Sequence, residues 1–216
     1  MAAKQTKSRS KTDKRSTEDK LVDAALDLAT ERRWQDVSLA DIADAAGVPL
    51  GDALLEMPGR LHILRAIGRR IDTAVLKSLA SDPLDGSTKD KLFDLLMRRF
   101  DALEGHQEAM ASITADVMRD PVAALCLSTD LRRSMARMLE AAGVGTGGLK
   151  GALRIKGLGA VYLDAARVWF KDEDAGLSAT MARLDKSLAR AERMEGVCTG
   201  FRARNIFSGA ESSADA

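Results

Sequence analysis

Aromatic side chains are scarce in this chain: one Tyr, two Trp and five Phe make up 4% of 216 residues. Any core must therefore be aliphatic, built from Leu, Ala, Val, Ile and Met. Cysteine is almost missing as well, with Cys126 and Cys198 alone. Two thiols so far apart exclude a disulfide framework and suit a reducing compartment. Only four prolines interrupt the chain, which leaves long stretches free to be helical. Long apolar runs are missing too. Charge-free stretches such as Pro121–Thr129 reach 9 residues, well short of the ~20 that a membrane-spanning helix needs. The N-terminus carries no apolar segment of the secretory kind, so a cytoplasmic location is expected. Histidine occurs twice, at His62 and His106, with no Cys, Asp or Glu at metal-ligand spacing and no Ser/His/Asp arrangement. The sequence gives no ground for a metal, a cofactor or an enzymatic activity.

Charge is present and unevenly placed. The net charge is +1, yet residues 1–20 hold seven basic side chains (Lys4, Lys7, Arg9, Lys11, Lys14, Arg15, Lys20) against Asp13, Glu18 and Asp19. That leader is +4, and the remainder is −3, with 26 Lys and Arg against 29 Asp and Glu. A cationic arm ahead of a near-neutral body fits attraction to a polyanion, either nucleic acid or an anionic membrane surface. It equally fits a tail that only keeps the protein in solution.

Helical signals recur along the whole length, and no stretch alternates with a strand's period of two. Ser16 or Thr17 can cap a first helix, with Glu18 and Asp19 in its first turn and Leu21, Ala24, Ala25 and Leu28 on one face. Ser38 with Asp41 reads as a capping box opening a second helix, which Gly47 ends. A short third helix runs from Pro49 to Met57, and a fourth from Pro58 to about Ala80. Asp82–Gly86 is a break, after which Ser87 and Asp90 cap a fifth helix. Gln107–Arg119, Pro121–Ala142 and Leu149–Phe170 follow. A last helix is expected from Leu177 to about Glu195. The fold class is therefore all-α. The organisation expected is a basic flexible arm (1–16), a three-helix unit (17–62), a larger helical domain (63–195) and a flexible tail (196–216).

The stretch Lys20–Leu64 resembles the DNA-binding domain of the TetR (tetracycline-repressor) family. The matching runs are Ala24-Ala25-Leu26-Asp27-Leu28, Val37-Ser38-Leu39-Ala40-Asp41-Ile42-Ala43, and Ala45-Ala46-Gly47-Val48-Pro49-Leu50-Gly51. The resemblance implies a helix-turn-helix in which Ser38, Pro49, Leu50, Gly51 and Arg60 meet DNA. It also implies a helical second domain that binds a small ligand and forms a homodimer. The chain departs from the family where Tyr, Phe and Lys are usual, with Leu54, Met57 and Arg60 in their places. Pro49–Met57 also lacks Arg, Lys, Asn and Gln, the residues that pair with base edges, and carries Asp52 and Glu56 instead.

Within the second domain, Met97, Phe100, Met118, Tyr162 and Trp169 are candidates to line a site for an apolar small molecule or lipid. Methionine adapts to irregular apolar ligands, and Tyr162 and Trp169 lie on one helix face. Plain core packing explains the same residues. The two C-terminal helices are candidates for a homodimer interface, since small residues on the first of them (Gly157, Ala160, Ala165, Ala166) permit close approach; close packing within one subunit explains them equally. The segment Leu163–Arg193, and more faintly Lys91–Phe100, also resembles the TetR-like lipid-binding family of ubiquinone biosynthesis, which does not read DNA. Phe201, Ile206 and Phe207 with Arg202 and Arg204 suggest weak contact with a membrane surface.

Overall fold

The computed structural model describes residues 16–174 and 176–207, with side chains as far as residue 194. The described residues fold into nine α-helices and one 3-10 turn. The first helices are started by side chains, as local chemistry dictates. In α1 (Thr17–Glu31), Ser16 accepts from the Asp19 N–H at 3.0 Å. The turn Trp34–Asp36 leads to α2 (Leu39–Ala45), which opens on a complete capping box between Ser38 and Asp41. Ala46 caps its end and Gly47 takes the left-handed conformation, φ +63°. Next, α3 (Leu50–Glu56) starts directly after Pro49. The fourth helix starts later than the proline suggests: α4 (Arg60–Ser78) begins beyond Pro58 and Gly59.

A second capping box, Ser87 with Asp90, opens α5 (Thr88–Asp101). The next helix, α6 (Gln107–Val117), is followed by α7 (Pro121–Ala141), capped by Asp120 with Pro121 in its first turn. Then come α8 (Gly148–Trp169) and α9 (Ser178–Phe207). The last helix does not stop near Glu195 as its apolar spacing predicts. Gly196 and Gly200 fall within it, because an isolated glycine costs a helix only about 1 kcal/mol.

One aliphatic core runs through both parts of the chain. In the first part, alanines at the crossings (Ala25, Ala43, Ala53, Ala66) are fully buried, which lets short helices approach closely. Helix α1 packs on α2, α3, α4 and α6, so the N-terminal unit is seated on the second domain. In the second domain α7 lies between α4 and α8, and α8 pairs along its length with α9. Among the described residues no helix is long and apolar enough to cross a membrane.

Candidate nucleic-acid interface and a buried ion cluster

The segment leading into α2 is held from two sides. Trp34 N–H donates to Ser112 Oγ at 3.3 Å, and Gln35 N–H donates to Asp116 Oδ2 at 2.8 Å, both acceptors lying on α6. On the opposite side, Arg60 Nη1 donates to the carbonyls of Trp34, Gln35 and Val37 at 2.9, 3.0 and 3.1 Å. Its guanidinium also sits 5.9 Å from the centre of the buried Trp34 ring. Asp116 is held below the usual carboxylate pKa by the Gln35 amide and, next, by Arg33 and Arg119. The N-terminal unit is thus attached to α6 through a backbone turn and not through apolar contact alone.

This anchoring fixes the outward surface. Ser38, Pro49, Leu50 and Gly51 are all exposed, with Leu50 at 45%. Ser38 is occupied by the capping box, its Oγ 2.6 Å from Asp41 Oδ2 and its N–H donating to the same oxygen at 2.8 Å. These bonds hold the Asp41 carboxyl below its ordinary pKa. The Ser38 hydroxyl, the start of α2, Leu54, Pro58, Gly59 and Arg60 line a shallow open groove between α2 and α3. On α3 itself, Leu54 and Leu55 are exposed, Leu55 at 86%. Asp52 and Glu56 are exposed beside them. Of the five candidate DNA contacts the groove therefore brings Ser38 and Arg60 together, with Arg60 Nη1 committed to backbone carbonyls, while Pro49, Leu50 and Gly51 lie exposed where α3 begins.

The electrostatics of this end were not legible from the leader alone. Residues 17–62 carry ten Asp and Glu against four Lys and Arg, a net −6. Residues 1–16 carry six Lys and Arg against one Asp, a net +5. The cations that would neutralise phosphate are thus concentrated in the arm.

In the second domain the structure brings three of the five candidate ligand residues into contact. Phe100 is stacked on Tyr162 with ring centres 5.3 Å apart, and Trp169 lies 5.5 Å from Phe100. Met97 is half-buried against the same core. Met118 is not part of this group: it ends α6 with 73% of its surface exposed. Next to the aromatic group lies an ionic cluster that the helical periodicity could not reveal. Asp72 of α4 and Arg99 of α5 are both buried. Asp72 accepts from Arg99 Nη1, from Ser134 Oγ at 2.5 Å and from Arg137 Nη1 at 2.7 Å. The Arg99 guanidinium lies 5.0 Å over the Tyr162 ring. Its signal was present as Asp72 and Arg99 on the otherwise apolar faces of α4 and α5. Among the described residues no group of three or more His, Cys, Asp or Glu could hold a metal. The proposed membrane-contacting side chains Phe201, Arg202, Arg204, Ile206 and Phe207 lie outside the residues whose side chains are described.

A capped three-helix unit seated on an α-helical second domain defines the class: a helix-turn-helix protein with an all-α companion domain. No protein-family model and no curated protein matches the sequence, but solved structures do. A TetR transcriptional regulator from Nitrosomonas europaea is 25% identical and covers 81% of this chain and 97% of its own, with a TM-score of 0.68. One from Rhodococcus sp. RHA1 is 18% identical, covering 80% of this chain and 93% of its own at TM-score 0.60. A third, from Streptomyces coelicolor, is 19% identical, with coverages of 88% and 91% and a TM-score of 0.57. The chain has the fold of the TetR family of transcriptional regulators.

Proposed function

We propose that this protein is a TetR-type, DNA-binding transcriptional regulator, acting as a homodimer whose second domain responds to an apolar small molecule. The observation that carries this reading is the anchored unit itself: α3 is presented outward by a capped α2 and a clamped turn. A pair of such units can set two reading helices about one DNA turn apart, ~34–36 Å. Ser38, Pro49, Leu50, Gly51 and Arg60 form the contact end, with the cationic arm supplying phosphate neutralisation. Met97, Phe100, Tyr162 and Trp169 line the ligand-responsive region, and Met118 joins them only by rearrangement of α6. The exposed leucines of α3 read thymine methyl groups and groove shape, since that helix offers no bidentate donor.

The same feature of α3 favours a second reading. A face of leucines and carboxylates suits a TetR-fold lipid-binding protein of ubiquinone biosynthesis that no longer reads DNA. Anisotropy titration of the full-length protein against genomic fragments at several salt concentrations separates the two. A regulator gives discrete nanomolar sites and a steep salt dependence. Weak, sequence-blind binding together with co-purifying isoprenoid in the mass spectrum transfers the case to the lipid-binding protein.

A further inference from the structure

The cluster around Asp72 is one acceptor short. Its carboxylate already takes hydrogen bonds from Arg99, Ser134 and Arg137. Arg99 is 3% exposed, and its buried Nε has no hydrogen-bond partner. A buried charged donor left unpaired is strongly destabilising, and the unmet Nε points to an acceptor there. Charge gives the same result: two arginines face one aspartate. One face of the guanidinium is covered by the Tyr162 ring, which leaves its edge for a flat anion. A carboxylate matches an arginine edge.

The surroundings say what the rest of that ligand is. Phe100, Tyr162 and Trp169 form a continuous aromatic wall beside Arg99. On α7, next in sequence to the cluster's Ser134 and Arg137, Met135 and Met138 are fully buried, and methionine repacks around a guest more readily than a branched side chain. Gly159 on α8 adds slack, since a methyl group there would meet only Met135 Cγ, at 3.9 Å. Arg137, its side chain 50% exposed, marks where the cluster reaches solvent.

We infer that the second domain binds an amphipathic carboxylate, its head group paired with Arg99 and its apolar chain laid along the Phe100–Tyr162–Trp169 wall. The inference deepens the ligand half of the proposed function, and its test uses no DNA, so either can fail alone. Calorimetric titration of the full-length protein with octanoate and with 1-octanol reads it directly. Octanoate is expected to bind at least about tenfold tighter than the alcohol, as expected for a charge-assisted pair. Arg99→Lys keeps the charge but removes Nε, and should abolish that preference while leaving octanol binding unchanged. Arg137→Gln, at the solvent edge, should weaken octanoate severalfold and octanol not at all, and decides the matter if the Arg99 variant does not fold. Equal binding of acid and alcohol overturns the carboxylate but leaves an apolar ligand standing. A preference that survives both substitutions overturns the assignment to this cluster. Saturable binding of neither compound overturns the inference as a whole.

Discussion

Arg60 joins the two ends of the N-terminal unit. It opens α4, yet its Nη1 bonds to three carbonyls of the segment that precedes α2. The Trp34 carbonyl also accepts from the Val37 N–H at 3.2 Å, and a charged donor shared among the three oxygens rigidifies the turn. Arg60→Ala should lower global stability by about 1–3 kcal/mol in urea unfolding. Arg60→Lys should recover only part of the loss, because an ammonium can replace the Nη1 donor but not the planar guanidinium set against the Trp34 ring. Gly151 is a second residue whose identity is forced. A methyl group there would overlap the backbone of Thr146, in the loop before α8. Backbone cannot give way as a side-chain tip does, so Gly151→Ala should lower the melting temperature through ~1–3 kcal/mol of overpacking. Neither role was legible in the sequence. Ser38 with Asp41 and Ser87 with Asp90 were legible, since a capping box is closed within three residues. Arg60 reaches Trp34, and Arg99 reaches Asp72, across distances that no local pattern encodes.

Helix α9 shows the same limit at the scale of an element. Its first turn is organised by Asp172, whose Oδ2 accepts from the Thr180 N–H at 2.8 Å and the Thr180 hydroxyl at 2.7 Å. Both residues are buried, although Asp172 stands in a run of charged residues, Lys171-Asp172-Glu173-Asp174. Further along, Asp164 of α8 receives Arg183 Nε and Nη2, each at 2.7 Å, and Ser187 Oγ at 2.7 Å, tying α8 to α9. Arg183, and after it Ser187, hold the Asp164 carboxyl down at about 2, against 3.8 for the free group. A carboxyl with a depressed folded pKa contributes stability that is present above the unfolded value and lost as pH falls through the folded one. The stability difference between the native protein and Asp164→Asn should therefore be constant above about pH 5 and shrink steadily between about pH 4 and pH 2. Thermal melts at a series of pH values measure it, and a difference that does not change over that window removes Asp164 from the α8–α9 joint. The helical periodicity of α8 and α9 was visible beforehand because it repeats every few residues. This ionic tie was not, because it depends on which faces the loop brings together.

At the scale of the whole molecule, charge is divided so that the N-terminal arm and the three-helix unit after it oppose each other. Residues 1–16 are net +5 and residues 17–62 net −6. Binding to duplex DNA releases counterions in proportion to the phosphates neutralised, with log K falling by ~0.9 per contact for each tenfold rise in salt. The acids Asp52 and Glu56 on α3 are exposed, and they add repulsion that the cationic arm can offset. Replacing Lys4, Lys7, Arg9, Lys11, Lys14 and Arg15 together by Gln should flatten the salt slope by several units, up to about 5 if nearly all of them meet phosphate. Arg60→Gln should change the slope by less than about 1, because its Nη1 is already bonded to carbonyls. Asp52→Ala with Glu56→Ala should raise affinity across all sequences alike, with no gain in discrimination, because alanine removes the charge without adding a donor or acceptor that could pair with a base edge. Anisotropy titrations of the intact protein at several salt concentrations distinguish these outcomes. A slope untouched by neutralising the arm would place the phosphate contacts on the folded body instead, and would require the acidic end of the molecule to face away from DNA.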